Sequence, residues 1–174
     1  MSMRSYFTEG YGFTVNTVSD KKIVEFLTNH IDTFIKLMSD FKKSKTETKN
    51  FCKKLNKLKK LNEVDEETYE EIQEFLEDFP LDNLDDDQLR NPLLEIITMI
   101  IETETKIPME FFTSQEDCIG SDCIIIRLDM PWNFPVAFRN MDRKTVNTIL
   151  MKYNKELNGK HAEDLDYHEI ESYG

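Results

Sequence analysis

The chain has 174 residues, of which 39% are hydrophobic and 32% are charged, and its formal net charge at pH 7 is −12. Such a length favours one domain that folds without disulfide staples, and the charge disfavours general binding to nucleic acid, whose phosphates would be repelled. The partner that this charge favours is a basic protein surface. We expect residues 1–160 to form the domain and residues 161–174 to form an acidic tail.

The sequence predicts a cytoplasmic protein without a membrane segment. The amino-terminal residues contain no apolar core of signal-peptide length. The most apolar run, residues 93–101, is only nine residues long and contains Glu95. Three cysteines, an odd number, favour a reducing cytoplasm over a secreted disulfide framework.

The amino-terminal third predicts a strand followed by a long helix. Aromatic and β-branched residues favour a strand or irregular hairpin over residues 6–15, in which Gly10 and Gly12 mark a bend or bulge. Apolar residues then recur at helical spacing over residues 20–42. His30 lies beside that apolar face, so we interpret it as a boundary residue rather than a catalytic base.

Two oppositely charged helices are predicted next. Residues 44–47 have the form of a capping box, and the helix after them carries leucines on one side and lysines on the other. Residues 63–87 contain thirteen acidic residues and no basic one, and a helix within them ends at Pro80. A tight connection at residues 62–65 would make the helices antiparallel and partly neutralise their charges. The alternative is that each charged face meets a different partner.

The remaining helices are one buried helix and one with clear end signals. Asn91 as cap and Pro92 at the first position predict a helix whose apolar residues cover more than one face, which indicates a central, buried element. The last helix is predicted to begin near Asp142 and to end at Gly159. The acidic, weakly apolar residues 161–174 are expected to be frayed.

A late hairpin completes the predicted fold. Strands are expected at residues 111–114 and 123–129, with turn-forming residues between them, and the prolines within residues 130–135 prevent that segment from continuing as a central strand. The predicted class is α+β, with about five helices packed on a small, mainly antiparallel sheet made of the N-terminal strand and the late hairpin.

The sequence predicts no catalytic, cofactor-binding or metal-ligating set. Cys118 and Cys123 lack the second pair or the nearby histidine that a zinc site needs, and they are either ordinary thiols or a redox-linked bridge across the hairpin. No nucleophile elbow, phosphate loop or dinucleotide-binding turn is present. The polar cluster in the tail is interpreted as a solvated segment. Its members are His161, Asp164, Asp166 and His168.

The candidate recognition edge is acidic and aromatic. Trp132 either covers one end of the sheet or acts as an exposed anchor, since tryptophan is a frequent hot spot of interfaces. The candidate partner-binding residues are Glu116, Asp117, Asp122, Trp132 and Phe134.

Two other function classes stay open. A metal-dependent nuclease or phosphodiesterase could use the hairpin carboxylates, although Arg127 is the only positive residue within the hairpin. A self-associating structural protein could form a homodimer through the helical pair of residues 44–79. The hairpin carboxylates of the nuclease alternative are Glu116, Asp117, Asp122 and Asp129.

A resemblance covers nearly the whole chain through short motifs, which in chain order are YFTEGYGF, EDC, CIII, PWNF and KYNKEL. In this arrangement the chain resembles small accessory proteins carried by phages and mobile elements of low-GC Gram-positive bacteria, to which no chemistry is assigned. The resemblance implies a cytoplasmic protein that binds a host protein. Anti-restriction and anti-CRISPR inhibitors, which occupy nucleic-acid-binding surfaces, belong to that class.

Overall fold

The computed structural model describes residues 5–58, 60–82, 89–113, 121–127 and 140–173. These residues form six α-helices and a four-stranded antiparallel sheet, which confirms the predicted α+β class. The helices are α1 (Asp20–Asn29), α2 (Ile31–Asp40), α3 (Lys45–Leu55), α4 (Glu66–Leu76), α5 (Arg90–Thr105) and α6 (Arg143–Asn158). The strands are β1 (Ser5–Thr14), β2 (Glu110–Phe112), β3 (Cys123–Arg127) and β4 (Asp166–Tyr173). The chain divides into two compact units, one of residues 1–18 with 101–174 and the other of residues 19–100.

The sheet has the strand order β2-β3-β1-β4, and every neighbouring pair is antiparallel. β2 and β3 pair from Glu110 opposite Ile125 to Phe112 opposite Cys123, which confirms the two predicted hairpin strands. β1 runs along the other side of β3. The N-terminal strand and the late hairpin therefore form one sheet, as predicted.

The carboxyl-terminal segment is the fourth strand, and the expectation of a frayed tail is wrong for residues 166–173. β4 pairs with β1 from Ser5 opposite Tyr173 to Gly12 opposite Asp166. Interstrand backbone hydrogen bonds hold this segment in place although it is poor in apolar residues. Its position at the edge of the sheet leaves acidic side chains such as Glu169 in water.

Gly12 permits a close approach of two strands rather than the predicted bend or bulge. β1 continues without interruption through Gly12. A Cβ added at this position would overlap the carbonyl oxygen of Ile124 on β3. Because any other residue would push β3 away, the glycine is required by the spacing of the sheet.

α6 begins and ends at the predicted signals. Asp142 is the N-cap and accepts a hydrogen bond from the N–H of Thr145 at 2.8 Å. Gly159 follows the helix at φ 57°, a conformation that favours glycine. On the buried side of α6, the hydroxyl of Tyr153 donates to a carboxylate oxygen of Glu104 at 2.9 Å.

The predicted helix over residues 20–42 is two helices, α1 and α2, with a break at His30. The backbone of His30 leaves the helical region at ψ 28°, yet its N–H donates to Phe26 and its carbonyl accepts from Phe34, each at 3.0 Å. Because hydrogen bonds continue on both sides, the apolar spacing passes through the break and does not reveal it. The half-buried imidazole stacks on the ring of Phe26, with 4.2 Å between centroids.

α5 is the buried helix that its composition predicts. It begins at Arg90, one residue before the predicted cap, so Pro92 lies in the first turn, where its missing N–H costs no helical hydrogen bond. Six of its apolar side chains are completely buried, namely Leu93, Leu94, Ile96, Ile97, Ile100 and Ile101. Within the ranges that the structure covers, no helix combines the length and the apolar character needed to cross a membrane.

The pairing of β4 with β1 predicts a pattern of hydrogen exchange. In an antiparallel edge strand, every second N–H points towards the neighbouring strand and the others point outward. We therefore expect alternate amides of residues 166–173 to exchange slowly in deuterium-exchange NMR, while those of residues 163–165 exchange quickly. Exchange at the rate of an unstructured chain throughout residues 166–173 would contradict the strand.

Candidate functional site

The predicted recognition edge is described at one of its five residues. The N–H of Asp122 donates to Asn16 Oδ1 at 2.7 Å, and its carbonyl accepts from the N–H of Val15 at 2.9 Å. Asp122 is half-buried, directly before β3. Glu116, Asp117, Trp132 and Phe134 lie outside the described residues. The other acidic surface that the sequence indicates, on α4, lies within the described residues.

That second surface begins with the packing of α3 against α4. The rings of Phe51 and Phe75 stack with 4.2 Å between centroids and an interplanar angle of 17°. Towards the end of α3, Lys54 forms an ion pair with Glu71. Lys54 comes after Phe51 in α3, whereas Glu71 comes before Phe75 in α4, so the two helices are antiparallel. The predicted antiparallel pairing of the lysine-rich and glutamate-rich helices is thus confirmed, with one lysine of α3 paired to one glutamate of α4.

The connection between these helices is longer than the predicted turn at residues 62–65. α3 ends at Leu55 and α4 begins at Glu66, with Asp65 as its N-cap. The leucines at positions 58 and 61 continue the apolar pattern after the helix has ended, and Leu61 is buried without being helical. Periodicity alone therefore places the end of α3 too late.

Lys43 stabilises the carboxyl-terminal end of α4 from outside the helix. The last turn of α4 contains no basic residue. The ammonium group of Lys43 donates to the carbonyl of Glu74 at 3.4 Å, lies 3.7 Å from a carboxylate oxygen of Asp78 and lies 5.7 Å from the centre of the Phe75 ring. A cation at this position complements the negative end of the helix dipole.

The opposite side of α4 is a row of glutamates, which we call the acidic face. Their spacing of three and four residues places them on one side of the helix. All four are exposed, and no ion pair within the described part of the chain involves them. The acidic face consists of Glu67, Glu70, Glu74 and Glu77. Its spacing is visible in the sequence, but the sequence does not show which of these carboxylates lack an ion pair within the described residues.

An exposed aromatic residue lies in the other unit, at a position that the sequence did not single out. Tyr167 on β4 has 49% of its surface exposed, and among the described residues it is the one large hydrophobic side chain that is exposed. Its ring centre lies 5.0 Å from that of Tyr11, and the guanidinium of Arg143 lies 5.3 Å from both. A hydrogen bond with Tyr11 helps to raise the pKa of Arg143, which therefore keeps its charge.

Reactive groups are sparse in the part of the chain that the structure covers. No cluster of three or more histidine, cysteine, aspartate or glutamate side chains there could hold a metal ion. Cys52 is a buried free thiol, Cys123 is buried, and Cys118 lies outside the described residues. Burial raises the pKa of Cys52 to about 11, so this thiol stays protonated and unreactive at neutral pH.

Comparison of the chain with protein-family models, with curated proteins and with solved structures finds no match.

The contact of α3 with α4 predicts unequal contributions to stability. Phe51 is 5% exposed, so its replacement in Phe51→Ala should lower the free energy of unfolding by about 3–5 kcal/mol. The pair of Lys54 and Glu71 is largely in water, and Lys54→Ala should cost less than about 1 kcal/mol. Urea unfolding of both variants measures the difference. A larger loss for Lys54→Ala would show that charge, rather than the aromatic stack, holds the helices together.

The N-cap of α4 predicts an acid-sensitive contribution to stability. The N–H of Thr68, which donates to the carboxylate of Asp65 at 3.0 Å, lowers the pKa of Asp65 below its ordinary value. Above pH 3.8, the ordinary pKa of an aspartate, this hydrogen bond contributes its full stabilisation to the folded state. The contribution is lost as the pH falls through the lower pKa that Asp65 has in the folded protein. Asparagine caps equally well but does not titrate. The stability difference between wild type and Asp65→Asn, measured by urea unfolding, should therefore change between pH 7 and pH 2. An unchanged difference would contradict this origin.

Proposed function

We propose that this protein is a non-enzymatic interaction module whose acidic face binds the basic surface of a partner protein. The observation that carries the proposal is the row of four exposed glutamates, three on α4 and Glu77 at its C-cap, that have no ion pair in the described residues. The net charge of −12 extends this negative potential over the molecule. When a negative surface meets a positive one, the complementary electrostatic potentials accelerate association of the two proteins and disfavour partners of the wrong charge.

The position of the charge supports a binding role over a purely solubilising one. Like charges three or four residues apart destabilise a helix by about 0.2–0.5 kcal/mol per pair. Glu74 and Glu77 also lie at the carboxyl-terminal end of α4, where the helix dipole disfavours negative charge. Mixed charges would keep this surface soluble at a smaller cost in stability. A trade-off of stability against function is common at functional sites, so a row that destabilises its own helix favours a binding role.

The chemistry of the partner follows from the same charges. Proteins that bind nucleic acid present clustered lysines and arginines to phosphate groups, and an acidic face fits such a cluster. This agrees with the role implied by the resemblance to phage and mobile-element proteins, namely a cytoplasmic accessory protein that covers a basic host surface. Inhibitors of host defence, such as anti-CRISPR proteins, are one class of this kind.

Two triple variants with the same loss of charge test the proposal. The first, Glu67→Gln, Glu70→Gln and Glu74→Gln, neutralises the acidic face. The control, Asp32→Asn, Asp40→Asn and Glu169→Gln, removes three exposed carboxylates elsewhere. Affinity capture from host lysate at 50 and 500 mM salt, with the bound proteins identified, compares both with wild type.

We expect wild type and control to capture the same basic proteins at low salt. The acidic-face variant should capture at least tenfold less of them. High salt should release them, because charge steering is screened beyond about 8 Å already at physiological ionic strength. An equal loss of capture in both triple variants would show that net charge alone causes binding, and it would contradict a specific role for the acidic face. Capture of no basic protein by wild type at low salt would overturn the proposal.

A further inference from the structure

The two edges of the sheet differ in length. β2 forms one edge with three residues, and β4 forms the other with eight. β4 pairs with β1 residue for residue from Asp166 to Tyr173, without a bulge. In the part of the chain that the structure describes, no strand lies on the other side of β4. The N–H and carbonyl groups that point away from β1 therefore form a row with which a further strand can pair.

β4 lacks the features that usually protect an edge strand. Proteins block such edges with very short strands, prolines, lysines or bulges. β2 is protected by its shortness, whereas β4 is long and its sequence contains no proline, lysine or arginine. At the start of β4, the carboxylate of Asp166 accepts the N–H of Tyr167 at 2.8 Å, so that amide already has a partner. The residues after Tyr167 supply the longer part of the edge.

Tyr167 adds a preformed contact surface beside this edge. Its side chain is 49% exposed, whereas that of Tyr11, directly opposite on β1, is 5% exposed. The guanidinium of Arg143 lies 5.3 Å from the centres of both rings. These contacts hold the ring of Tyr167 in place and leave half of its surface in water. Because side chains on one face of neighbouring strands pack on each other, this ring favours a strand that is added next to β4.

The charge of β4 selects the kind of strand. Its sequence contains three acidic residues, which outnumber Arg143, the cation that contacts Tyr167. Asp166 and Glu169 are exposed, and no ion pair among the described residues involves them. Like charges on neighbouring strands destabilise pairing, and opposite charges stabilise it. Pairing with β4 of a second copy would bring acidic strands together, so a basic strand is the complementary occupant.

We propose that β4 receives an extended, lysine- or arginine-rich segment of the partner protein as a fifth strand of the sheet. The backbone of this segment pairs with the outer edge of β4, its cations meet the acidic side chains, and one of its side chains packs on Tyr167. The inference rests on the proposed function and deepens it, because it states which conformation of the basic partner this unit binds. The acidic face lies in the other unit and is a separate contact surface.

A basic peptide tests strand addition directly. Full-length ¹⁵N-labelled protein is titrated with acetyl-Thr-Lys-Val-Arg-Val-Lys-Thr-amide, which combines cations with residues that favour strands. One control peptide carries glutamate in place of each basic residue. The other is the basic peptide with a methyl group on every backbone nitrogen, which removes its N–H donors and keeps its charge.

We expect the basic peptide to slow the exchange of those β4 amides that exchange quickly in the free protein, by at least tenfold at saturation. Neither control peptide should slow them, because one has the wrong charge and the other cannot donate to the edge. Unchanged exchange of these amides with the basic peptide would overturn the proposal. If these amides are already slow in the free protein and become fast on dilution, a second copy occupies the edge, which would also overturn it.

Two variants test the contact with the exposed ring. Tyr167→Thr removes the ring but keeps a residue that favours strands, and it should weaken binding of the basic peptide at least threefold. Tyr167→Phe keeps the ring and should bind like wild type. Slow exchange of the amides that face β1 checks that each variant retains β4. Wild-type affinity of Tyr167→Thr, or equal weakening by both variants, would overturn the contact, and the peptide series on wild type tests the edge without any variant.

The capture experiment distinguishes failure of this inference from failure of the proposed function. Capture lost with the acidic-face variant, together with unchanged β4 exchange in the presence of the basic peptide, would overturn strand addition and leave the proposed function standing. Absence of any captured basic protein, together with slowed β4 exchange, would overturn the proposed function, while the strand-accepting edge would remain. The control triple variant, which contains Glu169→Gln, keeps the backbone of β4 and Tyr167, so it should still capture the basic proteins.

Discussion

The stacking of Phe51 on Phe75 determines which charges of the helical unit reach solvent. Because this contact fixes the rotation of α4 about its axis, Glu71 turns towards Lys54 and the acidic face turns away from α3. Apolar and aromatic contact supplies most of the energy, since exposed ion pairs contribute little. The negative surface is therefore a consequence of packing on the opposite side of the same helix.

The elements predicted correctly are those with strong local signals. Capping residues and a glycine stop define α6, and the capping box at Ser44 is present with both of its hydrogen bonds. A run of three consecutive β-branched residues, Ile124, Ile125 and Ile126, identifies β3. These features depend on residues within a few positions of one another, so the chain itself contains the information. The same holds for α5, whose composition requires burial.

The errors in the fold arise where distant residues decide. The acidic segment of β4 looks like a solvated tail until β1, more than 150 residues earlier in the chain, supplies a ladder partner. Gly12 looks like a bend because the clash it avoids is with Ile124, on another strand. The break at His30 preserves the hydrogen bonds around it, so the apolar period gives no sign of it.

The candidate site was predictable in composition but not in geometry. The acidic run of residues 63–87 indicates a negative surface, while the support of Lys43 for the end of α4 requires the folded chain. The histidine and aspartate cluster of residues 161–168 is visible in the sequence. The hydrogen bonds by which Asn154 and Asn158 join β1, α6 and the next segment are not, because they connect residues far apart in the chain. Trp132 and Phe134 lie outside the described residues and stay a prediction.

The central claim is that α4 presents an unneutralised negative surface to the solvent. Paramagnetic relaxation of amide protons by a cationic and an anionic nitroxide of equal size measures the local electrostatic potential along the chain. The account predicts a more negative potential at the exposed amides of Glu67–Glu77 than at those of α2 or α3. A potential at α4 equal to that of α3 would show that lysines neutralise the acidic face, and it would contradict the account.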